Sequence, residues 1–98
     1  MRAADPKNAG ALRGLGLCYL KSKQNAEAAS VLKEATDLDP DNADGWAWYG
    51  QALALQNQFP ASIAALEHAL KIKPDHAGAK KLLDIIKKGV PQPAGAKQ

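Results

Sequence analysis

Cysteine is nearly absent from this sequence of 98 residues, which holds only Cys18. A single cysteine permits no internal disulfide, so the fold does not lean on an oxidising compartment, and the cytoplasm is the expected setting. Aromatic residues make up 5% of the chain against 46% hydrophobic residues overall. The apolar positions are mostly Ala and Leu, which argues against a β-rich core and for closely packed helices. No run approaches the ~18 apolar residues that span a bilayer, and the first residues carry no apolar core of a secretory signal. A strong charge of one sign is missing too, for the net charge is +3. That small excess is uneven: residues 1–66 hold six basic and seven acidic side chains, and residues 67–98 hold seven basic and three acidic. The length leaves room for one small domain.

What the chain does have is a period. Pro6, Pro40 and Pro74 stand at equal intervals, each inside a matching phrase: Asp5-Pro6-Lys7-Asn8-Ala9, Asp39-Pro40-Asp41-Asn42-Ala43 and Lys73-Pro74-Asp75-His76-Ala77. Repetition at this interval is the mark of a helical solenoid, in which each unit buries its apolar side against the next. Proline disfavours helical geometry in the residue before it, so Asp5, Asp39 and Lys73 mark helix ends, and Asn8, Asn42 and His76 are placed to cap the helices that follow. The spacing predicts helices over 9–22, 26–38, 43–56, 60–72 and 77–88. Pro60 suits the first turn of the fourth, where its missing N–H costs nothing. Residues 89–98, with Pro91, Pro93 and two glycines, read as a disordered tail or linker. Met1-Arg2-Ala3-Ala4-Asp5-Pro6 reads as the tail of an earlier unit behind a start residue; the expectation is an excised piece, whose leader, if any, stayed behind.

A helix-turn-helix unit of about 34 residues with an aromatic, a Leu-Gly pair, a Tyr, an Ala and a closing Pro resembles the tetratricopeptide repeat. The residues that carry the resemblance are Leu12, Leu15-Gly16, Tyr19, Ala28, Leu32, Ala35 and Pro40 in the first copy. In the second they are Trp46, Tyr49-Gly50, Leu53, Ser62, Leu66, Ala69 and Pro74. Departures are Ser62 for the small Ala, the exchange of Leu and Tyr at Tyr49 and Leu53, and Asn25 where an aromatic is common. The expected architecture is an all-α, right-handed solenoid of antiparallel helix pairs. Its parts are a remnant over 1–8, repeats over 9–42 and 43–76, a capping helix over 77–88 and the tail. Within it, Leu12, Leu15 and Tyr19 form one stripe, repeated by Trp46, Tyr49 and Leu53, facing the partner helices. Gly16 and Gly50 lower helix propensity, a cost explained if a second helix crosses there, with Ala28 and Ser62 as its contact points. The final helix puts Ala79, Leu82, Leu83 and Ile86 on one side and mostly lysines on the other, as a solvating cap does. Nothing equivalent covers the first helix, whose outer face is expected to stay partly apolar.

No catalytic constellation stands out. His68 and His76 lack partners at metal-ligand spacing and read as surface histidines. Cys18 reads as a small residue buried where helices approach, in preference to a reactive thiol. Gly14-Leu15-Gly16 lies inside a helical period and follows no strand, so it is no phosphate loop. Neither an enzymatic activity nor a cofactor or metal is expected. Solenoids offer a surface for other polypeptides, and a protein or peptide partner is the expected ligand. Arg13, Leu17, Leu20 and Lys21 share one side of the first helix, and Asp44, Trp48, Gln51 and Leu55 share one side of the third. The resemblance implies that this inner face lines a peptide groove, apolar at Leu17, Trp48 and Leu55 and polar at its edges. Trp48 either anchors a partner there or packs between neighbouring repeats; an aromatic off the core stripe favours the anchor. Relatives that grip a chaperone's C-terminal carboxylate use Lys, Asn, Asn, Lys and Arg, where this chain has Arg13, Leu17, Trp48, Gly78 and Leu82. A chaperone tail is therefore not the expected ligand; an apolar or amphipathic segment is. The competing reading is self-assembly through the uncapped N-terminal face into homo-oligomers. Nucleic acid is not expected, because Lys71, Lys73, Lys80, Lys81, Lys87 and Lys88 lack interleaved aromatics and arginines.

Overall fold

A computed structural model describes residues 8–89; the stub before Asn8 and the proline-rich tail after Gly89 lie outside them. Over this range the chain forms α1 (Ala9–Lys21), α2 (Asn25–Leu38), α3 (Ala43–Leu55), α4 (Phe59–Ile72) and α5 (Ala77–Gly89). Their ends fall within one residue of the expected ones, and α5 takes in Gly89, which the sequence pattern places in the tail. The proline phrases explain this agreement. Asn8 Oδ1 accepts from Ala11 N–H, Asn42 Oδ1 from Gly45 N–H and His76 Nδ1 from Ala79 N–H, each at 3.0 Å, so α1, α3 and α5 start on the same cap. The turns inside the two helix pairs also match. Lys23 (φ 66°) and Asn57 (φ 63°) are left-handed, and Gln24 N–H and Gln58 N–H reach back to Tyr19 O and Leu53 O at 2.8 and 2.9 Å. That pattern closes a helix C-terminus and reverses the chain.

Helix pairs lock through their glycines. A Cβ on Gly16 would stand 2.4 Å from Leu32 Cγ, and one on Gly50 would stand 2.8 Å from Leu66 Cγ and 3.2 Å from Ser62 O. Leu32 and Leu66 are completely buried, and each side chain contributes about 1.5–3 kcal/mol through that burial. Ser62 is the expected contact of Gly50, to whose carbonyl its Oγ donates at 2.6 Å. The atoms nearest Gly16 belong to Leu32 and not to Ala28, one turn away on α2. Two clusters make up the core. The first joins Ala28, Ala29 and Leu32 of α2 to Ala52 and Leu53 of α3 and Ala65 of α4. The second joins Ala43 and Ala47 of α3 to Leu66 and Ala69 of α4 and Ala79 and Ile86 of α5. Trp46 packs against both and donates from Nε1 to Pro40 O at 2.9 Å.

The first helix departs from expectation. Leu12 and Tyr19 are half-buried, but Leu15 is 41% exposed and Cys18 is exposed. The reason is visible one repeat later. Tyr49 and Ala52, the counterparts of Leu15 and Cys18, pack into the cluster built on α2, and among the described residues no helix stands before α1 to do the same.

Candidate functional site

Between α3 and α5 runs a groove of about 540 Å³. Trp48, Gln51 and Leu55 form one wall, Leu82 and Ile85 the other, and Phe59 at the start of α4 is part of the lining. The helical period sets these residues in place: Trp48, Gln51 and Leu55 follow one another at i, i+3 and i+7 along one face of α3. Leu55 is 50% exposed and Ile85 57% exposed, so apolar side chains are open to water where a globular core would have hidden them. Trp48 is half-buried: one part packs against the first core cluster while it also lines the groove.

His76 stands at one end, its side chain 14% exposed. Its Nε2 lies 2.7 Å from Asp44 Oδ1, and its Nδ1 accepts from Ala79 N–H. Both contacts are met by the neutral ring with its proton on Nε2, since Nδ1 must keep a lone pair for the amide. One side chain thus caps α5 and ties it to α3, which corrects the expectation of a surface histidine. His68 is likewise half-buried, its ring 4.1 Å from that of Trp46. Lys81 gives the groove a cationic rim, and among the described residues no carboxylate pairs with it, whereas Lys87 pairs with Glu67 and Lys88 with Asp84.

Of the eight residues expected to meet a partner, the structure brings Trp48, Gln51 and Leu55 together here, with Asp44 beside them through His76. Arg13, Leu17, Leu20 and Lys21 do not line this groove. Arg13 pairs with Asp39 at 3.4 Å and lays its Cδ over Gly45; Leu20 packs against the first core cluster; Leu17 is half-buried and Lys21 exposed. The wall missed in the sequence is α5. A signal for it existed: one period on from Asp44, Trp48, Gln51 and Leu55 stand Gly78, Leu82, Ile85 and Gly89, all of which line the groove.

Among the described residues no cluster of three His, Cys, Asp or Glu side chains could hold a metal, and no helix is long and apolar enough to cross a membrane. Comparison with known proteins decides the kinship, because the family model for the tetratricopeptide repeat matches residues 20–86. The chain belongs to the tetratricopeptide repeat family. A stretch of 67 residues, 68% of this chain, is 25% identical to Superkiller protein 3 of Saccharomyces cerevisiae. Another of 60 residues, 61% of the chain, is 33% identical to a TPR repeat-containing protein of Rhizobium etli. The matched stretches span only 5% and 29% of those two relatives. Among solved structures, the first TPR of Spaghetti (RPAP3) bound to the HSP90 peptide SRMEEVD superposes with a TM-score of 0.83 at 22% identity, over 89% of this chain and 69% of that one. The likeness shows the shared fold. Tetratricopeptide repeats are protein–protein interaction modules, and this chain has their architecture.

Proposed function

We propose that the chain is a non-catalytic binding module that holds an apolar or amphipathic segment of a partner protein in the groove between α3 and α5. The observation that carries this reading is the solvent-open apolar pair Leu55 and Ile85, lining one groove with Trp48. Covering such a surface is favourable by about 25 cal/mol per Å² of apolar area removed from water, and a half-buried Trp supplies a rigid anchor that loses little freedom on binding. Lys81 favours an acidic residue flanking the apolar one. The neighbour's peptide is a poor fit, since this chain offers Arg13, Leu17, Trp48, Gly78 and Leu82 at the positions where chaperone-binding relatives place Lys, Asn, Asn, Lys and Arg.

The test is a peptide library displayed on phage and selected against the protein, with affinities of the winners measured by calorimetry. Winners with a bulky apolar residue are expected, binding at least ~10-fold more weakly to the Trp48→Ala variant, while SRMEEVD shows no heat of binding. Winners that bind wild type and Trp48→Ala equally, or an affinity for SRMEEVD that matches theirs, would remove the groove from consideration.

A further inference from the structure

The side chains that cap α1, α3 and α5 differ in one respect. Asn8 and Asn42 start α1 and α3 with amides, which do not titrate, whereas α5, the second wall of the groove, starts on the imidazole of His76. The same ring reaches across to α3: Nε2 donates to Asp44 Oδ1 at 2.7 Å while Nδ1 accepts from Ala79 N–H at 3.0 Å. It is closely fitted. A Cβ on Gly78 would stand 3.3 Å from the ring's Cε1, the His76 side chain is 14% exposed, and Ala79, whose amide it caps, is wholly buried. Both contacts together require the neutral ring, and a second proton can go only onto Nδ1, the atom that keeps a lone pair for Ala79. Turning the ring over does not help, because an imidazolium carries N–H at both nitrogens.

That proton has two opposed effects. It places a charge beside Asp44, but Asp44 is 59% exposed, so water and salt screen the attraction. It also sets one N–H against another and leaves the buried Ala79 amide without an acceptor, a loss that solvent cannot make good while the first turn of α5 stays docked. The buried loss outweighs the screened gain, so the proton binds better once that turn has opened, and acid shifts the population toward the opened form. Other charged residues on the surrounding elements are Asp41 before α3, Lys71 at the end of α4, Lys73 and Asp75 in the turn that follows, and Lys80 and Lys81 on α5. All are exposed, and among the described residues only Asp44 pairs with the ring. We infer that His76 is a pH-sensitive latch on the groove. Neutral, it holds α5 against α3; protonated, it keeps Asp44 and lets go of the first turn of α5, which carries Gly78 of the groove lining. The change falls within about pH 5 to 8, where imidazole exchanges its proton, and the latch slackens as the pH falls. Its bearing on partner binding rests on the groove reading; the movement of α5 does not.

The sequence itself suggests the control, since Asn stands at the equivalent place in both earlier caps. His76→Asn should cap α5 at every pH and cannot titrate. The intact protein, labelled with nitrogen-15, is taken from about pH 8 to about pH 5, with the imidazole nitrogens and the backbone amides read by NMR at each step. The expected result is that Nδ1 of His76 starts unprotonated and that the Ala77–Lys80 amides shift with the same midpoint as the ring. The Ala79 amide should lose its protection from hydrogen exchange several-fold over the same step, after correction for the pH dependence of exchange itself. His76→Asn should abolish the step, and His68→Gln, which removes the other histidine, should leave it in place. Amides of α5 that hold still while the ring titrates would overturn the latch, as would the same step in His76→Asn. Peptides selected on the groove should bind several-fold more weakly at the acid end in the wild type and equally at both ends in His76→Asn. An equal loss in both proteins would belong to the peptide and would overturn the coupling to binding. Because the NMR titration contains no peptide, a groove that binds nothing is told apart from a latch that does not move.

Discussion

A methyl group added to Gly16 would stand 2.4 Å from Leu32 Cγ, whereas one added to Gly14, on the same helix, would meet nothing within 4 Å. The two sites therefore separate helix propensity from packing. Gly14→Ala should stabilise the fold by about 0.5–1 kcal/mol, because only the backbone freedom of glycine is lost. Gly16→Ala should destabilise it by about 1–3 kcal/mol, because completely buried Leu32 must leave its place. Urea melts of the two variants read the signs directly, and a stabilising Gly16→Ala would refute the interlock. At this scale the sequence is legible where a residue answers to its own helix. Asn8, Asn42 and His76 are readable as caps because capping is a local act at a fixed spacing from proline. It is illegible where the deciding neighbour comes from elsewhere. Cys18 has the look of a residue buried between helices, and its counterpart is one; its exposure depends on a helix that no local pattern near Cys18 announces. The tie between His76 and Asp44 is hidden for a related reason, since 32 residues separate them and neither type demands the other.

Among the elements, α5 has the sharpest division of labour. Ile86 is 3% exposed and belongs to the second core cluster, while its neighbour Ile85 is 57% exposed and lines the groove. Ile86→Ala should cost about 2–4 kcal/mol of stability through the cavity it leaves. Ile85→Ala should shift stability by no more than about 0.5 kcal/mol and yet weaken the peptides selected on the groove. Thermal melts and calorimetry on the same two proteins check both halves of the statement. Equal melting temperatures would show that the helix is not docked as described. The helices themselves are easy to read, because prolines, caps and a regular repeat punctuate them from within. The groove is half readable: the α3 wall follows from helical spacing along one helix, while the α5 wall shows only when the repeat is carried one period further, to Gly78, Leu82 and Ile85. The helix can do both because Ala79 and Ile86 are buried in the core, Ile85 stands open in the groove, and Leu82 borders each.

For the whole molecule, the equality of register between successive pairs makes stability a sum of units and the contacts between them. Duplicating residues 9–42 in place, so that a second α1 follows the first α2, should raise the urea midpoint. It should also raise the slope of the unfolding transition by roughly a third, in proportion to the surface that unfolding exposes. Of the two Cys18 thiols in that protein, the inner one should become unreactive. A midpoint unchanged by the duplication would mean that the Leu15 face cannot receive an α2-type helix even when one is covalently supplied. Among the described residues, the first and last helices differ, with Leu15 of α1 open to water and α5 charged along Lys80, Asp84 and Lys87. During synthesis that difference sets an order. Chains are made from the N-terminus and fold as they emerge, so each new helix meets a surface that its predecessor has just completed, and the growing edge of the nascent chain moves along with the ribosome. When α5 emerges it covers the edge left by α4 with Ala79 and Ile86 and leaves Lys80, Asp84 and Lys87 exposed, so the surface it adds is charged where the earlier edges were apolar.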